Sequence, residues 1–84
     1  MGILFFKSQN CPRCPQALKN VEAAIAELDM DMPLAIIDIS TTEGRIEALN
    51  NMVSETPSML LEEELYGPDV LMDVGKIKDL LSGE

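Results

Sequence analysis

The sequence predicts an α/β fold: one mixed four-stranded sheet with helices on both faces, in the order β-α-β-α-β-β-α. Three observations predict it. The continuous apolar runs ILFF (3–6) and LAIIDI (34–39) read as short strands buried in a sheet. Between them, Ala17, Leu18, Val21, Ala24, Ile25 and Leu28 recur at helical spacing. Towards the C-terminus, two brief apolar runs separated by glutamates read as a hairpin, and a last amphipathic segment follows.

Each element has its own justification. After the first strand, KSQN (7–10) is a polar loop. The first helix starts at the cysteines, where Pro12 fits a first-turn position because its missing N–H costs nothing there. DMDMP (29–33) ends it. The helical crossover makes the first two strands parallel and joins them right-handed. Ser40 and Glu43 have capping-box spacing. They predict a helix through Arg45, Ile46 and Leu49 to about Val53, with Gly44 weakening its start and SETP (54–57) breaking it. SMLLE (58–62) and ELY (64–66) are the third and fourth strands, and the glutamates between them form the turn. GPD (67–69) is a turn with Asp69 as a cap for the last helix, which carries Val70, Leu71, Val74, Ile77, Leu80 and Leu81 on one face. Gly75 inside that helix costs about 1 kcal/mol, which makes Asp73 a rival start.

The 84 residues make one small domain, 1–84. With 46% apolar and 25% charged residues the composition is that of a folded chain, and a domain this small needs most of its apolar residues for its core. The formal charge of −9 argues against nucleic acid as a partner. No run is long enough to span a bilayer and no secretory leader is apparent, so the sequence reads as a cytoplasmic monomer without a membrane partner. The charge is unevenly placed. Residues 1–21 hold Lys7, Arg13 and Lys19 and no acid, whereas residues 22–84 hold fifteen acids against three bases, a net of −12.

That basic stretch contains both cysteines, in SQNCPRCPQAL (8–18). A structural bridge is a poor reading, because a Cys-x-x-Cys loop is tiny and the cytoplasm is reducing. A metal clip and a redox pair remain. Two thiolates without any histidine fall short of the four ligands usual for zinc, although a dimer sharing four thiolates or a bridged iron–sulfur cluster would complete a site. The chain has no histidine for a Ser/His/Asp arrangement and no glycine-rich phosphate loop, so neither that hydrolytic chemistry nor an organic cofactor is implied.

Strand, polar loop, Cys-x-x-Cys opening a helix, and later Thr56-Pro57 entering a strand: this pattern resembles the thioredoxin superfamily along essentially the whole chain. LFFKSQNCPRC looks most like its small glutaredoxin-like branch. The resemblance implies a thioredoxin-like fold and thiol–disulfide oxidoreductase activity on protein disulfides. It casts Cys11 as the nucleophile and Cys14 as the resolving thiol, with Pro12, Arg13 and Lys7 in support. It also implies a cis peptide before Pro57, with Thr56, Pro57, Lys7 and Gly67 at the substrate. A thiolate is the attacking species, and a helix N-terminus with nearby cations favours it.

The sequence departs from the family pattern in informative places. Thioredoxins carry a buried acid six residues before the first cysteine, and here that residue is Phe5. Glu55 or water would take its place. Glutaredoxins have Gly-Gly and an acid after the fourth strand, and here Gly67-Pro68-Asp69 stands instead, with one backbone donor fewer. No resident cofactor is expected. Electrons would come from glutathione as co-substrate or from a flavin-dependent enzyme like thioredoxin reductase, a choice to which Pro15 adds a hint of the latter. The alternative is a Cys-x-x-Cys metal or iron–sulfur module.

Overall fold

The computed structural model describes residues 2–83. The strands are β1 (Ile3–Lys7), β2 (Leu34–Asp38), β3 (Ser58–Leu61) and β4 (Glu64–Tyr66), and the helices are α1 (Cys14–Glu27), α2 (Thr42–Asn50), α3 (Pro68–Leu71) and α4 (Val74–Ser82). The sheet order is β2-β1-β3-β4. β1 and β2 run parallel with Lys7 beside Asp38, and β3 is antiparallel to β1 with Ser58 beside Phe6. The C-terminal ends of β1 and β2 and the start of β3 therefore meet at one end of the sheet.

Alternation along β1 sorts its side chains onto two faces. Ile3 and Phe5 join Met59 and Leu61 in the core beneath α1, α3 and α4, packed on Ala17, Val21, Leu71 and Ile77. Full burial of each large side chain contributes about 1.5–3 kcal/mol. Phe6, also fully buried, points to the opposite face, which α2 covers from β2. β2 is an edge strand, and its Ile36 stays exposed.

Two helix ends have well-defined stops. α1 closes with Asp29 N–H donating to the Ala26 carbonyl and Met30 N–H to that of Ile25, and Asp29 turns left-handed at φ 51°. α2 closes the same way. Met52 N–H donates to Leu49, Val53 N–H donates to Ala48, and Met52 stands at φ 59°. These are Schellman closures carried by residues other than glycine.

The expectations need several corrections. Lys7 belongs to β1 rather than to the loop after it, and α2 stops at Asn50 rather than near Val53. The last helix is two pieces: α3 caps on Gly67, and α4 starts at Val74, where the Asp73 carboxylate accepts from the Gly75 and Lys76 N–H groups. Asp73 wins over Asp69 because its side chain satisfies two orphan donors, and Gly75 sits in that first turn rather than mid-helix. The α2 cap is Thr41, whose Oγ1 accepts from Gly44 N–H at 2.9 Å. Ser40 is otherwise engaged, its Oγ accepting from Gln9 N–H at 3.0 Å. Gly44 does not merely weaken α2, since a methyl there would overlap the Asp38 carbonyl. Finally, β2 and β3 each stop one residue early, at Asp38 and Leu61, and Glu62 and Glu63 alone form the hairpin turn.

Candidate active site

Cys11 and Cys14 are joined by a disulfide, with their Cα atoms 5.4 Å apart. They lie at the two ends of a tight turn. Cys14 N–H donates to the Cys11 carbonyl at 3.3 Å, and Arg13 has φ −92° and ψ −14°. Those angles suit the third position of a type I turn, and Pro12 holds the second, which its fixed φ favours. Pro12 is thus outside the helix, correcting its expected first-turn place. Pro15 has that place instead, at the second position of α1 behind the Arg13 cap, where no N–H is needed.

The turn exposes its two sulfur-bearing residues unequally. Cys11 is half-buried, whereas Cys14, the first residue of α1, is 3% exposed. A cleft of about 430 Å³ reaches them both. Pro15 and Leu18 of α1 form one wall, and Lys7 and Ser8 line another. Phe5, at the position of the family's buried acid, is fully enclosed in the core. Glu55, the other candidate acceptor, does not line this cleft.

Ser8 connects the cleft to the next loop. Its hydroxyl lies 2.9 Å from Thr56 Oγ1, so the β1–α1 loop and the Thr56–Pro57 step are held together. The Thr56–Pro57 peptide is cis, Pro57 is buried, and Ser58 Oγ donates to the Glu55 carbonyl at 2.5 Å. Gln9 N–H on Ser40 Oγ ties the same β1–α1 loop to the start of α2.

Of the residues singled out in the sequence, the cleft gathers Cys11, Cys14 and Lys7, and Thr56 joins through Ser8. Pro12 and Arg13 are exposed on the turn. Gly67 stands apart from the cleft. A Cβ built there would lie 2.9 Å from Glu55 Oε1 and 3.5 Å from Asp69 Oδ1, so two carboxylates flank it. The sequence reading missed Ser8, Gln9 and Ser40 as loop fasteners, because lone polar loop residues carry no periodic signal. It also missed Asn20, buried in α1, whose Nδ2 donates to the Leu71 carbonyl at 3.0 Å while Oδ1 accepts from Gln16 Nε2 at 2.9 Å. A polar residue on the apolar stripe between Ala17 and Ala24 was the available sign.

Residues 1–81 match the family model described as "Thioredoxin domain". The chain belongs to the thioredoxin domain family. Among solved structures, thioredoxin 1 from the thermophilic eubacterium Thermosipho africanus TCF52B is similar, with a TM-score of 0.69 and 18% identity, over 98% of this chain and 96% of that one. A point mutant of the thioredoxin-like protein BC3987 gives a TM-score of 0.63 at 18% identity, over 94% and 97%. No curated protein sequence matches. At such identities the neighbours establish the thioredoxin fold alone. With the family match and the Cys11–Cys14 pair, the protein is placed at family level among thiol–disulfide oxidoreductases. Among the described residues no group of three or more His, Cys, Asp or Glu is arranged to hold a metal, and no helix is long and apolar enough to cross a membrane.

Proposed function

We propose that this thioredoxin-domain protein is a cytoplasmic, monomeric electron carrier that reduces disulfides of partner proteins through Cys11 and Cys14. The observation that carries the reading is the unequal exposure of one closed dithiol pair: Cys11 accessible, Cys14 enclosed below it at the head of α1. In the reduced protein, Cys11 thiolate attacks one sulfur of a substrate disulfide. A Cys11–substrate bond forms, the substrate's other sulfur leaves with the electron pair, and it takes a proton from solvent. Cys14 thiolate then attacks Cys11, the Cys11–Cys14 bond forms, and the second substrate sulfur leaves reduced. Thr56 and Pro57, fastened beside the turn through Ser8, support docking of an extended substrate segment by backbone pairing.

The Glu55 carboxylate beside Gly67 bears on the source of electrons. Glutathione is anionic, and a carboxylate of glutathione at Gly67 would face Glu55 without a backbone donor from Pro68. A flavin-dependent protein reductase is the electron donor we favour over glutathione.

The test is a redox titration of metal-analysed protein in dithiothreitol and glutathione buffers, reading free thiols. One reversible two-electron transition with both thiols free of metal is the expected result. Stoichiometric metal on the two thiols, or no reversible transition, refutes the carrier and leaves a metal-binding module.

A further inference from the structure

The dithiol mechanism needs Cys14 as an anion in a nearly closed site, and a buried thiolate is destabilised by desolvation unless a cation or donor compensates. The family's acid is absent, since Phe5 holds its position inside the core. Among the residues lining the cleft that reaches Cys14, Lys7 is the one that carries a charge. Lys7 is the last residue of β1, half-buried, and it lies on the same face as Phe5, beneath α1. Its ammonium is not committed elsewhere: among the described residues the ion pair present is Lys78 with Glu27. Asp38 is its neighbour across the β1–β2 register, yet among the described residues no ion pair joins the two, and Asp38 Oδ1 accepts from Ser40 N–H at 2.8 Å. The other charged groups near the turn face outward. Arg13 is exposed at the α1 cap, Lys19 and Glu22 are exposed on α1, and Glu55 lies beside Gly67. An attraction within a partly closed cleft is screened less than one at the surface.

We propose that Lys7 is the positioning residue for the resolving step, its ammonium holding Cys14 as the thiolate that attacks the Cys11–substrate disulfide. This rests on the dithiol reading above. The balance is that of the exchange itself. The Cys14 thiol proton passes to water in the cleft, and the Cys14 sulfur forms its bond to Cys11. The Cys11–substrate bond breaks, and the substrate thiolate leaves with the electron pair. Lys7 keeps its proton throughout and contributes charge only.

The experiment separates the two steps with 2,2′-dithiodipyridine, whose pyridine-thione product is coloured and uncharged near neutral pH. Reduced full-length protein mixed with one equivalent releases one thione when Cys11 attacks and a second when Cys14 resolves. The two phases are followed from acid to alkaline pH in wild type, Lys7→Met and Lys7→Arg. Lys7→Met is expected to slow the second phase about ten-fold at neutral pH, the equivalent of one pH unit in the Cys14 thiolate midpoint. The deficit closes at alkaline pH, the first phase slows less, and Lys7→Arg restores most of the rate. A second phase slowed equally at every pH would mean that Lys7 only supports the loop's shape, and would overturn the proposal. So would a first phase slowed as much as the second, an unchanged second phase, or no rescue by arginine. A wild type lacking any second phase fails differently, since it overturns the dithiol reading itself.

Discussion

The β3–β4 turn offers a sharp test of the backbone reasoning. Glu62 and Glu63 sit at φ 49° and φ 69°, both in the left-handed region, in a two-residue connection between Leu61 and Glu64. Side-chain sterics make that conformation cost roughly 1–2 kcal/mol for an ordinary residue. The twist of a hairpin nevertheless demands it, which is why Asn-Gly dominates such turns. Both side chains are exposed, so replacing them removes no burial. Exchanging Glu62-Glu63 for Asn-Gly relieves most of two such penalties and loses part of the gain to the greater freedom of glycine in the unfolded chain. The net expectation is a stabilisation of about 1–2 kcal/mol. For a domain of this size each kcal/mol raises Tm by roughly 4–8 °C. Urea unfolding of the oxidised protein measures it directly: the midpoint should rise with the slope unchanged. The turn lies at the far end of β3 from Ser58, so redox behaviour should stay as in wild type. An unchanged or lowered midpoint would mean that the glutamates are not strained, and the argument from backbone angles would fall.

Three further outcomes follow from the site and its supports. Cys11→Ser should abolish turnover of a protein disulfide, and Cys14→Ser should accumulate mixed disulfides through Cys11, visible by non-reducing electrophoresis and mass; full turnover in Cys14→Ser would refute resolution by Cys14. Gly44→Ala should destabilise by about 1–3 kcal/mol, because its methyl must displace the Asp38 carbonyl or the first turn of α2, and a thermal melt matching wild type would show that this approach is not tight. Asn20→Ala should cost about 1–3 kcal/mol in urea unfolding by leaving the Leu71 carbonyl unpaired, and an unaffected midpoint would show that water reaches it.

Much of the fold was legible because its signals are periodic or punctuating. The runs at 3–6 and 34–39 and the apolar stripe from Ala17 to Leu28 gave strand, helix and strand, the strands within one residue of the structure and the helix within three at its start. The cysteine pair and Thr56-Pro57 were legible because both are rare, local patterns. The break between α3 and α4 was harder. Val70 through Leu81 keep one apolar face across it, so periodicity alone reads a single helix, and the decision belongs to the Asp73 side chain and its two N–H partners. The α2 cap was misplaced by one residue because Ser40 and Thr41 are chemically alike. Only the position of Gln9, distant in sequence, commits the Ser40 hydroxyl elsewhere. Likewise Phe5 says what is missing beside Cys14, but only the path of β1 brings Lys7 to the cleft.

The small hydroxyl bonds around the disulfide have a consequence for recognition. Ser8 to Thr56, Gln9 to Ser40 and Ser58 to Glu55 fix three loops in place before anything binds. Ordering a loop at the moment of docking draws on the interaction energy, so loops already set leave more of it for contacts. A partner meeting this end of the sheet finds a pre-shaped rim, and its docking should need little induced fit. Loss of the Ser8 hydroxyl would then register as weaker and slower capture of partners, while the sulfur chemistry, once they are held, proceeds as before.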